Sequence, residues 1–281
     1  MATTKDWTGG GNDGDFSNLT NWSEGTAFAN SDTYVIGATN QDIIAGLTHA
    51  YTGITLSVTE GFGGSIGSAA GGSLSFSSAA SIKYAGRGAY ARFTSAGTVT
   101  TASFDHQSGI VGLTGGTWTN IDNSMGALDI AAAAVVTRIN NLAGSVTAGY
   151  NATAFTNAYN AGNMTFRRNA TNFYALAGRS VQENNGTTNY TLVTALSVYP
   201  TATYNKRSSG ADVAGTIFPK GTYTVAGNRG GGATTVDLGD LDIWGGASVT
   251  ATGVPGVVFD VTGFSYRGAA FSSGGSGFVI P

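Results

Sequence analysis

Apolar residues alternate with polar ones over short stretches along most of the chain. Examples are Ile54, Leu56 and Val58; Leu74 and Phe76; Ile82 and Tyr84; Leu128 and Ile130; Tyr223 and Val225; and Leu241 and Ile243. A period of two predicts strands with one buried face, and the intervening Gly, Ser and Asn mark turns. One apolar anchor per stretch gives Leu56, Leu74, Phe93, Leu113, Ile130, Val146 and Phe166, each step falling at or just under ~20 residues, the short end of solenoid repeats. Such a regular return predicts an all-β, parallel β-helix-like solenoid, in which each coil brings the chain back to one lateral position. The rival is an antiparallel β-sandwich or jelly roll, whose strands recur every ~8–12 residues.

The pattern divides the chain into three. Residues 1–30 place Trp7, Phe16, Leu19 and Trp22 around a Gly/Asn/Asp turn cluster, and are expected to form an aromatic cap over the end of the body. Residues 31–205 form the solenoid body, with an irregular Asn-rich excursion expected near 150–185. Residues 206–281 form a further β segment, with the same spacing resumed and a Gly/Ser-rich tail.

Composition sharpens this picture. Of 281 residues, 44 are Gly, and Ala, Thr and Ser add 39, 38 and 25, so half the positions are small; only 3 Glu and 4 Lys are present. The residues that populate exposed helix faces are nearly missing, which argues against a helical protein. Thirty aromatics argue against simple disorder. The formal charge of −3, with basic residues scattered, offers no stripe for nucleic acid. The longest apolar run, from Ile130 to Val136, is far short of the ~20 residues of a membrane-spanning helix. The start lacks a basic and then apolar leader, so synthesis in a host cytoplasm is expected. Without Cys, stability must come from burial and backbone pairing.

The opening segment reads W-T-G-G-G-x-D-G-D-F-S-x-x-x-N-W from Trp7 to Trp22, followed by Asp32-Thr33-Tyr34-Val35-Ile36. It resembles the segment at the start of β-helical autotransporter passenger repeats, which also begins many bacteriophage virion proteins. The resemblance runs from Trp7 to Ile36 and no further. It implies a surface or virion β-structure without catalysis. An autotransporter would bring a secretion signal and a membrane barrel, and neither is read here. The expectation is therefore a non-enzymatic phage structural protein of the capsid decoration (cement) type. It would lie on the capsid surface and contact the major capsid protein and copies of itself, with a trimer as the guess from icosahedral symmetry sites. The alternatives are a tailspike- or fibre-type receptor-binding or polysaccharide-degrading protein, and a bacterial surface adhesin.

No catalytic or cofactor-binding residue is assigned. His49 and His106 are the only histidines. Asp105 and His106 are neighbours on a predicted strand and so point to opposite faces, which prevents a triad-like pairing and makes His106 a surface or interface residue. Asp240 and Asp242 share a face near Asp237, and these would be the carboxylates of a tailspike hydrolase. Asn12-Asp13-Gly14-Asp15 alternates oxygen donors around a glycine as calcium loops do. The bidentate Glu of such loops is missing, so no metal site is assigned and Asp13 and Asp15 remain its only candidates. Arg87, Arg92, Arg138, Arg167, Arg168 and Arg267 are candidates for bidentate contacts to carboxylates of a neighbouring subunit.

Overall fold

The computed structural model describes residues 2–68, 71–183 and 192–206 continuously, and between 216 and 279 it describes the strands. The described residues form strands and one short 3-10 turn, Leu19–Asn21. Strand after strand pairs in parallel with one about a coil further along the chain, so the fold is an all-β solenoid and not the antiparallel sandwich. The chain divides into two compact units, Met1–Thr147 and Ala148–Pro281.

In the first unit one ladder stacks Thr4, Thr33, Thr55, Ser81, Thr101, Asn120 and Arg138 in register. The coils are of unequal length, longest between Thr4 and Thr33 and shortest between Asn120 and Arg138. The next residue along turns inward, because strand side chains alternate. It gives the column Lys5, Tyr34, Leu56, Ile82, Ala102, Ile121 and Ile139, all buried. Two further inward columns are Ile43, Ile66, Ala91, Val111 and Leu128, and Leu74, Phe93, Leu113 and Ile130. The expected anchor steps from Leu74 through Phe93 and Leu113 to Ile130 are thus real stacking registers. Leu56 belongs elsewhere: it stacks on Ile82, the product of a longer coil, and not on Leu74.

Coils in register lie ~4.8 Å apart, so a corner has room for little beyond backbone. A Cβ on Gly88 would meet the carbonyl of Gly64, and one on Gly109 would meet the carbonyl of Gly88. Gly109 also has φ +75°, a backbone that only glycine adopts freely. A corner column of glycines is one physical reason for the glycine excess. A later corner is polar inside: Asn123 Nδ2 donates to Asn141 Oδ1 at 2.9 Å, and Asn141 Nδ2 donates to Gly144 O, both side chains being fully buried.

The expected boundaries differ from those observed. The segment 1–30 already contains a rung, Thr4–Asp6, paired with Thr33–Ile36. Where an excursion was expected near 150–185, strands run through Ser145–Asn160, Asn163–Ala175 and Gly178–Gln182. Asn is tolerated there for two reasons visible in the structure. Outward Asn172 donates to Asn157 Oδ1, while inward Asn160 donates to Ser180 Oγ at 2.8 Å.

In the second unit, Phe166 stacks on Phe173 with ring centroids 4.9 Å apart, and Tyr204 meets Phe173 edge-on at 5.4 Å. The last three described coils each use three strands. Thr216–Pro219, Asp240–Trp244 and Gly263–Arg267 form one ladder. Thr222–Ala226, Ser248–Thr252 and Ala270–Ser272 form the second, and Thr235–Asp237, Val258–Asp260 and Gly277–Val279 the third.

Candidate functional site

The aromatic residues of the opening segment converge. Trp7 meets Trp22 edge-on with centroids 5.1 Å apart, Trp22 meets Phe16 at 4.9 Å, and Phe16 reaches Tyr34 at 5.5 Å and His49 at 4.6 Å. Trp22 Nε1 donates to Phe16 O, which fixes the turn between them. Leu19 stays half-exposed and outside this cluster. Beneath it Lys5, at the end of its inward column, donates to Thr26 Oγ1 at 2.6 Å and lies 3.9 Å from Asp32. Asp32 in turn accepts from the amides of Thr3 and Ala29. The buried charge is thereby satisfied inside the fold.

Asp13 and Asp15 are turn residues. Asp13 accepts from the side chains of Asn18 and Asn21 and from the Asp15 amide, and these bonds hold its carboxyl down at about 2. Asp15 Oδ1 accepts from Ser17 N and Oγ. Asp13 and Asp15 Oδ1 are engaged in the turn, and among the described residues no three His, Asp or Glu side chains converge as a metal site would require.

The histidines are interior, which corrects the surface reading of His106. Its side chain is fully buried, and its Nε2 is 3.0 Å from Ala127 O. Burial pushes the pKa of both His106 and His49 below the usual histidine value. Asp105 is exposed on the opposite face, as strand alternation requires.

The arginines divide. Arg168 is fully buried, which corrects its assignment to an interface. Its Nε and Nη2 donate to Gly149 O at 3.0 and 2.8 Å, its guanidinium lies 5.0 Å from the Phe155 ring centroid, and burial lowers its pKa to about 10. Arg167 makes an exposed 3.2 Å ion pair with Glu183. Arg87 and Arg138 are exposed. The side chains of Arg267, Asp237, Asp240 and Asp242 lie outside the described residues, as does most of the Gly/Ser tail. The backbone puts Asp237 in a different ladder from Asp240 and Asp242.

Arg92 sits in a feature not foreseen from the sequence, a groove of about 340 Å³ on the outer surface of the first unit. It is lined by Tyr90, Arg92, Ile110, Gly112, Thr114 and Asp129 among others. Register builds it: Tyr90 stacks on Ile110, and Arg92, Gly112 and Asp129 follow one another on successive coils. The Arg92 guanidinium lies 5.8 Å from the Tyr90 ring centroid, and its Nε is buried without a hydrogen-bond partner. A signal for the groove was present in the sequence. Arg92, Gly112 and Asp129 each precede an anchor, Phe93, Leu113 and Ile130, so they share the coil spacing and must stack outside. Neither a family model, nor a curated protein, nor a solved structure matches this chain.

Proposed function

We propose that the chain is a non-enzymatic structural component of a bacteriophage virion, a capsid decoration protein that contacts the major capsid protein and copies of itself. The opening Trp segment motivates this reading. So does the use of ionisable groups within the fold: Lys5, Asp32, Asp13, both histidines and Arg168 all hold the chain's own structure. The observation that carries it is a pair of exposed apolar side chains on adjacent coils. Met125 and Leu142 are 45% and 47% exposed and lie on adjacent coils of the first unit, each just after the paired residues Asn123 and Asn141. Side chains exposed on adjacent coils form one small apolar patch, and covering it against a neighbour removes apolar surface from water. A protein that binds only the assembled shell shifts the assembly equilibrium towards it.

The test has two arms. Heads stripped of the protein should rupture at a lower temperature and regain resistance when it is added back. The double variant Met125→Glu, Leu142→Glu, which changes only exposed positions, should fold normally yet fail to restore resistance. Unchanged rupture of stripped heads, or full rescue by the double variant, would remove the basis of the proposal.

A further inference from the structure

The geometry points to the outer groove of the first unit as a binding site for an acidic sugar unit, a uronate- or sialate-type residue of a surface polysaccharide. This goes beyond the decoration role and does not depend on it. Arg92 supplies the anion-binding group. Among the described residues it has no carboxylate partner, and a carboxylate bound in the groove would pair its charge. Asp129 lies two coils away across Gly112 and, among the described residues, accepts no hydrogen bond, which leaves its oxygens to accept from ligand hydroxyls.

The spacing selects the ligand class. Arg92 and Asp129 are separated by two coils, roughly 10 Å between their backbones. A carboxylate for Arg92 and a hydrogen-bond donor for Asp129 are therefore supplied best by different parts of one ligand. A sugar carrying one carboxylate and several hydroxyls distributes the same two functions over its ring. Tyr90 and Ile110, stacked side by side, offer the apolar face against which a pyranose C–H surface packs, and the Arg92 guanidinium beside the Tyr90 ring is held for a planar carboxylate. The volume falls at the lower end of the range of small-ligand sites, suited to a terminal or single internal unit.

Gly112 is the floor. A Cβ there would meet only Arg92 Cγ, at 3.6 Å, an ordinary contact, so a larger residue would fit the strand and fill the groove. That makes Gly112→Leu a blocking variant, and Arg92→Met removes the charge while keeping the stem. The isolated protein would be titrated calorimetrically with oligogalacturonide and with sialyllactose, with lactose as the neutral control. Binding of at least one acidic probe and not of lactose is expected. It should weaken by about tenfold or more in Arg92→Met and vanish in Gly112→Leu, while both variants melt as cooperatively as the parent. Binding of neither acidic probe, equal binding of lactose, or unchanged affinity in Gly112→Leu would overturn the assignment. The two acidic probes distinguish a uronate-bearing from a sialate-bearing source.

Discussion

At the scale of single residues, this solenoid places several polar side chains inside, each with at least one group of the same fold to meet it. His106 and Arg168 show it: a strand carbonyl, Ala127 O or Gly149 O, stands where each can reach it. Neither carbonyl is visible in a one-dimensional pattern. The histidines also set a pH response. Folding lowers their pKa through burial, so below the unfolded value of ~6.5 the unfolded chain binds more protons than the native one. Their stabilising effect is therefore complete above about pH 6.5 and lost as pH falls through the native values. The nearest carboxylates, Asp15 for His49 and Asp105 for His106, oppose the shift without reversing it. Chemical denaturation between pH 8 and 5 should show stability flat at first and then falling, by at most about 1.4 kcal/mol per pH unit for each histidine. His106→Gln should remove part of that slope. A second decline below about pH 4 should follow Asp13, whose carboxyl is held at about 2 in the turn. Stability that does not change between pH 7 and 5 would contradict the buried neutral state.

At the scale of elements, strands were legible and coil length was not. The column Leu74, Phe93, Leu113 and Ile130 could be read because its corners are short and of similar length. The earlier coils, from Thr4 to Thr33, on to Thr55 and then to Ser81, carry longer corners, which break the period while the ladder continues, with one register shift at Ile54/Thr55. The Asn-rich stretch looked irregular because Asn is read as a turn residue, yet ladders pair Asn side chains with those of adjacent coils. Two glycines of one strand separate the structural from the functional use of the residue. Gly109 has φ +75° and faces the Gly88 carbonyl, so Gly109→Ala should destabilise by more than about 1 kcal/mol. Gly112 has neither constraint, and Gly112→Ala should be neutral or stabilising by up to about 1 kcal/mol through the unfolded chain. Equal denaturation midpoints for the two variants would show that corner geometry does not control this strand.

At the scale of the whole molecule, a stack of parallel coils has ends, and each end is a sheet edge with unpaired backbone groups and an open apolar column. The opening segment answers both hazards. Its rung, Thr4–Asp6, is a short one, and its inward side chain is a charged Lys5 tied to Thr26 and Asp32. A short edge with an inward charge is a poor template for another chain. Beside it in the same coil, Phe16 and Trp22 pack on Tyr34, Phe16 also on His49, and Trp7 backs Phe16 and Trp22. The Trp and Phe positions of this arrangement could be named from the sequence, whereas the role of Lys5 could not, since nothing in a lone lysine reveals that it ends a buried column. Deleting residues 1–30 would expose the edge of Thr33–Ile36, a strand with Tyr34 and Ile36 on its inner face. Both backbone and apolar column would then be available to a second molecule. Sedimentation velocity on the truncated and full chains at equal concentration should show larger, concentration-dependent species for the truncation, with β-type dichroism retained because each remaining coil still contacts its neighbours. Identical sedimentation of the two chains would mean that the aromatic segment does not guard the end of the stack.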